Sequence, residues 1–419
     1  MMPKLAVFFV ILAVILNITG CWSQKNMSDL AFVMGIGFDV PPEGADAQMH
    51  EYLSLQIAVT SAFVQEATGG AGGVAWVTSA LGKGPADAKQ SIAKQIGRVV
   101  FYGHTAAILV SKERAEKGLQ GIMDAIERYP GFRRSIRLFI VDGKARDVLE
   151  AQPKLDQISI TAMLRMVRHT GITYDIPFGD FVAQTESETI EGALPIAGTV
   201  PPGGYSIEKK EAGSEVGGGQ EGGGAGGAGG KQSGSDSSKQ SQEKIVHMGG
   251  VAVFREKKMV GTLEGQASNG FLLFKEQFHN RIYAFETDEF GDMSVIIRML
   301  NVKPDVNIVK GRLQIRIKTV FSAGVAHVET AQDFTDKHIR EKVTRVLAGE
   351  LADAIKQAVT KAQSYGSDVF GFGGQLFRKN PKLWKQYRET WPELFSNAEV
   401  QSEASGTIIR TGIIRQSSS

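Results

Sequence analysis

One cysteine decides how this chain must hold itself together. Cys21 is the sole cysteine among 419 residues, and it follows an apolar run, Leu5 to Leu16, that has Lys4 as a single positive charge in front. A basic front, a short apolar stretch and small residues before a cut are the layout of an export signal. The run is about 12 residues, roughly 18 Å as a helix at 1.5 Å per residue. A bilayer core of about 30 Å takes about 20 such residues, so this run is too short to span well. The expectation is an exported body. With Cys21 at its start, that body holds no thiol pair to staple it and rests on the size of its core.

The residues before the cysteine sharpen this. Ile18-Thr19-Gly20-Cys21 resembles the bacterial lipobox: a branched apolar residue, two small residues, then the cysteine. Thr19 and Gly20 leave room for processing enzymes, and the Cys21 thiol is the nucleophile that takes a diacylglycerol before the preceding peptide bond is cut. The expected layout is a lipoprotein signal peptide over 1–20 and a lipid-anchored tether over 21–28. Cys21 then carries S-diacylglycerol and an N-acyl chain such as palmitate. One acyl chain holds a protein to a membrane only marginally, whereas two hold it stably.

Hydrophobic residues are 42% and charged residues 22% of the chain, with a formal net charge of +2. This is the composition of a folded body. It lacks the clustered basic charge of a nucleic-acid binder. Asp29 to Val40 reads as a buried strand, in which Gly35 and Gly37 serve close packing; no third glycine or helix makes them a dinucleotide site. Tyr52–Val64, Val74–Ser79 and Val99–Val110 read as further strands. Helices are expected over Pro85–Arg98, Leu119–Tyr129, Ala145–Ala151, Ile158–His169 and Phe178–Thr185. Strands return over Ile136–Val141 and Gly192–Val200. Glu208 to Lys244 is Gly, Ser, Glu, Lys and Gln with almost no apolar residue, too little to offset the entropy of ordering.

Beyond it, Met248–Phe254 and Lys258–Gly261 read as a hairpin and Glu264–Glu276 as a helix. Strands are expected over Arg281–Glu286 and Met293–Val302, with a long alternating one over Arg312–Val328. Asp336–Ser364 carries an apolar stripe and reads as the longest helix. The expected class is α+β or α/β: mixed β-sheets flanked by helices in several domains, with one long C-terminal helix packed on a sheet. The expected divisions are an α/β domain over 29–202, a Gly/Ser-rich linker over 203–244, a small α+β region over 245–302 and an α+β domain over 303–415.

Catalytic signatures are missing from the sequence. Among the seven histidines, none makes an i,i+4 pair, so there is no His-Glu-x-x-His zinc motif. There is no Gly-x-Ser-x-Gly elbow either. His104, beside Gly103 in an expected strand, reads as a packed residue. The aromatic residues around Trp384 read as a satellite core. No cofactor, metal or catalytic residue is expected.

Taken together, these segments resemble the C subunit of spore germinant receptors, the Ger(x)C (GerAC-like) lipoprotein family of endospore-forming bacteria. The resemblance runs from Gly20-Cys21-Trp22, Asp29-Leu30-Ala31 and Met34-Gly35-Ile36-Gly37 through Phe101-Tyr102-Gly103-His104 and Gly143-Lys144-Ala145. It continues in Gly250-Val251-Ala252-Val253-Phe254, Val260-Gly261, Asp368-Val369-Phe370-Gly371-Phe372-Gly373, Trp384, Trp391 and Ile409-Arg410-Thr411-Gly412. It implies a non-catalytic subunit anchored by its lipid cysteine to the outer face of the inner spore membrane. Its partners would be a multi-span A subunit and a permease-like B subunit, in nutrient-triggered germination. The alternative from the residues is a lipid-tethered solute-binding protein of a transporter, which needs two similar lobes around a cleft.

Overall fold

A computed structural model describes residues 27–59, 74–153, 155–201, 244–278, 281–330, 334 and 336–410. The chain builds two sheets. In the first, β1 (Leu30–Asp39), β2 (Glu51–Ala58), β3 (Ala75–Gly82), β4 (Val99–Phe101), β5 (Ala107–Ser111), β6 (Arg137–Asp142), β7 (Ala193–Val200), β8 (Ile245–Arg255) and β9 (Lys258–Leu263) take the order β3-β2-β1-β5-β6-β7-β8-β9, with β4 also paired to β1. The centre, β1-β5-β6-β7, is parallel, and the flanks are antiparallel. The second sheet has the order β10-β11-β12-β13, from β10 (Arg281–Thr287), β11 (Gly291–Val309), β12 (Arg312–Val328) and β13 (Glu399–Arg410).

Parallel strands need crossovers, and helices supply them. These are α1 (Pro85–Ala93), α2 (Lys112–Glu116), α3 (Gln120–Arg128), α4 (Ala145–Glu150), α5 (Ser159–Thr170) and α6 (Phe178–Thr185). They cover both faces of the first sheet. Ile108 and Val110 of β5 join a core with Ile92 of α1 and Ile122 and Ile126 of α3. Leu109, between them, joins a second core with Val148 and Leu149 of α4 and Met163 of α5. Gly35 is where β1 lets this second layer approach: an added Cβ would sit 2.5 Å from Ile160 of α5. Close packing, as expected, is what this glycine serves.

Strands β7 and β8 pair antiparallel from Ala193↔Val253 to Val200↔Ile245. Residues from both sides of the expected linker thus share one sheet, and residues 202–243 themselves lie outside the described residues. Strand β11 likewise runs unbroken across positions 302 and 303.

Two helices join the sheets. These are α7 (Gly265–Phe274) and α8 (Lys337–Ser364), which pack against each other, with α8 also lying on β13. The stripe of α8 is buried at Val343, Leu347, Leu351, Ile355, Ala358 and Val359, the spacing of one helical face. The Asp336 carboxylate caps its start by accepting from the His338 amide at 2.7 Å, which satisfies one of the free first-turn donors. After it come α9 (Phe372–Lys379), α10 (Pro381–Tyr387) and α11 (Trp391–Ser396).

The strand expected over Val99–Val110 is broken. Between β4 and β5, Tyr102-Gly103-His104-Thr105 forms a turn in which the Thr105 amide donates to the Tyr102 carbonyl at 3.0 Å. The Thr105 hydroxyl donates to the Val33 carbonyl of β1 at 3.4 Å, so the break is held from another strand. Helix α1 also ends at Ala93, short of the expected Arg98.

Candidate functional site

The expected anchor, Cys21 with Ile18, Thr19 and Gly20, lies outside the described residues. The described chain begins at Met27 and enters the first sheet at Leu30. There β1 pairs with β2 on one side and with β4 and β5 on the other. The segment that follows the tether is thereby a central strand.

The stretch Asp368 to Gly373 forms a buried polar centre. Its carboxylate accepts from the backbone amides of Gly371 (2.9 Å), Phe372 (3.1 Å) and Gly373 (2.8 Å). The Trp391 indole N–H donates to it at 3.1 Å. Gly371 enters α9 at φ +81, a left-handed conformation that favours glycine. Gly373 is small because Trp384 is close: an added Cβ would stand 2.9 Å from its ring and from the Thr189 carbonyl. Trp384 and Trp391 meet edge to face with centroids 5.1 Å apart. Both are buried, so the aromatic group around Trp384 is core. Burial pushes the Asp368 carboxyl above its ordinary value, even though its four donors pull the other way. Lys275, partly buried over the Phe271 ring, has its ammonium pushed down to about 8 by burial, against the pull of Asp368.

This centre clamps the C-terminal part to the first sheet. The Ser367 hydroxyl donates to the Phe254 carbonyl of β8. The Glu191 amide donates to the Asp368 carbonyl at 3.0 Å, and the Gly374 amide to the Thr189 carbonyl at 3.1 Å. Its geometry is that of a structural joint: each carboxylate acceptor site faces a protein donor.

Two further carboxylates are buried in the first sheet. Asp39, at the end of β1, accepts from the Ala145 (2.7 Å) and Arg146 (3.1 Å) amides at the start of α4. Glu51 of β2 pairs with Arg114 of α2, whose Nε donates at 2.7 Å. Burial raises the pKa of both. His104 sits in the turn after β4, its ring 5.3 Å from Phe32 and 5.6 Å from Phe101. It touches these two rings but is itself exposed, and it lies in a turn instead of a buried strand.

Among the described residues no group of three or more His, Cys, Asp or Glu could hold a metal ion. No described helix is long and apolar enough to cross a membrane. A cavity of about 400 Å³ opens between α1, α3 and the first sheet. Sequence reasoning did not find it, because Lys89, Tyr102 and Tyr129, which line it, share no motif and meet only through the fold.

Comparison with known proteins places these features. Residues 23–199 match the family described as the spore germination protein N-terminal domain. Residues 249–412 match the spore germination B3/GerAC-like C-terminal family. The seam between the two matches falls at the β7–β8 pair, so the first sheet takes its last strands from the second family region. Spore germination protein KC of Bacillus subtilis (strain 168) is 21% identical over 99% of this chain and 97% of its own. Spore germination protein A3 of the same strain is 29% identical over 32% of this chain and 34% of its own. The crystal structure of the GerBC protein shares the fold, with a TM-score of 0.54 at 14% identity, covering 89% of this chain and 97% of that one. With both domains matched, over residues 23–199 and 249–412, the chain belongs to the GerAC-like family of spore germination proteins.

Proposed function

We propose that this chain is the lipid-anchored, non-catalytic C subunit of a spore germinant receptor. It works with a multi-span A subunit and a permease-like B subunit, at the outer face of the inner spore membrane. The observation that carries this reading is positional. The family match begins at residue 23, two residues after Cys21, which closes a lipobox-like Ile18-Thr19-Gly20 at the end of a short apolar run. Two acyl chains on Cys21 would hold the body stably. The solute-binding alternative fares worse, because the two sheets are unlike in strand number and order, and that class needs two similar lobes.

Cys21→Ala tests the reading. Spores carrying it should lose nutrient-triggered germination and retain little of the protein in the inner membrane. Mass spectrometry of the native protein should find a diacylglycerol on Cys21 and the leader gone. Pull-down of the lipidated protein should recover the A and B subunits. Normal germination from unanchored protein, or an uncut leader, would overturn it.

A further inference from the structure

We propose that the cavity between α1, α3 and the first sheet binds a small organic monoanion, a carboxylate on a hydrocarbon body, with the carboxylate held by Lys89 and the Tyr102 hydroxyl. The cavity is about 400 Å³, within the roughly 300–1,000 Å³ range of small-molecule sites. Its floor is apolar, made by Ile36, Phe38 and Leu55 of the sheet. Such a lining takes a hydrocarbon body and gives it no polar partner.

The polar groups at one side are few, and Lys89 rests only on ring faces. The Lys89 ammonium lies 3.5 Å from the centroid of Tyr129 and 4.4 Å from that of Tyr102. It is partly buried, and among the described residues no carboxylate pairs with it. Burial lowers its pKa with no opposing negative charge. Asp124, a carboxylate on the same lining, is taken by Arg128, whose Nε donates to both its oxygens at 2.8 and 2.9 Å. Tyr102 is 3% exposed, and its buried hydroxyl meets no hydrogen-bond partner in the described structure. Burial pushes that phenol up, so it stays a donor at neutral pH.

A cation that has ring faces but no carboxylate, beside an unmatched buried donor, is half of a recognition site, because buried polar groups are normally paired. An anion supplies both missing partners at once. A carboxylate matches better than a neutral group, since charge-assisted hydrogen bonds are about twice as strong as neutral ones. The lining also argues against a zwitterion. A ligand ammonium would meet Lys89 and find the lining's carboxylate, Asp124, already bound.

The inference is independent of the anchor, so its failure leaves the subunit reading standing. The test titrates the full chain in lipid nanodiscs with 3-(4-fluorophenyl)propionate, followed by fluorine NMR against empty nanodiscs. Saturable binding below about 1 mM is expected, an affinity suited to so small a ligand. The neutral amide of the same acid should bind about tenfold weaker or worse, and 4-fluorophenylalanine weaker than the acid. Lys89→Met should weaken the acid about tenfold and erase the acid-to-amide preference, while Tyr102→Phe costs about three- to tenfold. The acid-to-amide comparison uses the unaltered protein, so it decides even where a variant fails to fold. No saturable binding by about 10 mM, equal binding of acid and amide, or tighter binding of the amino acid would each overturn the proposal. A segment of the chain itself filling the cavity would give the first of these results.

Discussion

The two sheets solve burial differently. The first is covered on both faces: along β5, Ala107, Ile108, Leu109 and Val110 are all fully buried, and successive side chains enter opposite cores. The second is covered on one. Along β12, Leu313, Ile315 and Ile317 are buried while Arg316 and Lys318 face water. Strand β13 repeats the alternation, with Val400, Ala404 and Ile408 packed inward. Period-2 side-chain geometry is common to both; what differs is whether helices cover the second face. The first sheet has four adjacent parallel strands whose helical crossovers cover both faces. The second is antiparallel from β10 to β12 and has a single parallel step, β12 to β13, whose crossover brings α8 to one face.

An alanine scan puts this difference to its largest test. Ile108→Ala and Leu109→Ala, neighbours in sequence, should each cost about 2–5 kcal/mol in urea unfolding, because each leaves a cavity in a separate packed core. On β12, Ile315→Ala and Ile317→Ala should cost as much, while Arg316→Ala and Lys318→Ala stay within about 0.5 kcal/mol. Equal costs at 315 and 316, or a silent residue at 108 or 109, would break the contrast.

The same contrast explains what could be read from residues alone. β12 shows its alternation over Leu313, Ile315 and Ile317, and its ends, Arg312 and Val328, agree with the expectation. The stripe of α8 was equally plain. In the doubly covered sheet, continuous apolar runs carry no phase, so Val99–Val110 read as one strand. The break at Tyr102 depends on Val33 accepting from Thr105, a contact between residues far apart in sequence. That turn is also what sets Tyr102 beside Lys89 and Tyr129, so the cavity was hidden for the same reason. The Asp368 stretch stood out as a family-like motif, but its role needed Trp391 and Thr189 to be placed. β7 meeting β8 could not be read at all, because the low-complexity stretch Glu208 to Lys244 lies between them.

The joint between the sheets should answer next. Asp368→Ala removes the acceptor of three amides and one indole. An unsatisfied buried donor costs about 1–3 kcal/mol, and relaxation will re-pair some of these four, so a total of about 2–4 kcal/mol is expected. Trp391→Phe, which removes one donor and keeps an aromatic ring, should cost less. If the two variants cost the same, the carboxylate is not the hub of the joint. Gly270→Ala probes the other contact between the halves, where α7 meets α8. An added Cβ there would lie 1.9 Å from the Ala354 carbonyl oxygen, so the helices must part, at about 1–3 kcal/mol. Fluorescence and far-ultraviolet dichroism should then report lowered unfolding midpoints, whereas an unchanged midpoint would mean that α7 and α8 give way freely.

The smallest effect separates the sheets by the sign of their response to acid. Burial raises the pKa of Asp39, at the end of β1, above the ordinary 3.8. In the window between its folded and unfolded values the native state holds more protons, so its contribution makes stability rise as pH falls. Asp305, on β11, is the opposite case. The Lys379 ammonium, 2.8 Å away, lowers its pKa, so its contribution is present above 3.8 and is lost as pH falls through the lowered value. Asp305 is exposed to solvent, so its effect is small and screened by salt. Urea midpoints measured from about pH 6 down to about pH 3 should therefore diverge in opposite directions. Asp39→Asn loses stability relative to the parent as acid is added, Asp305→Asn gains, and added salt erases only the second. Parallel curves for Asp39→Asn and the parent would show that the two amides from α4 offset burial at Asp39. Divergence in the direction of Asp305→Asn would show that they outweigh it, so that the doubly covered sheet treats this carboxylate no differently from the open one.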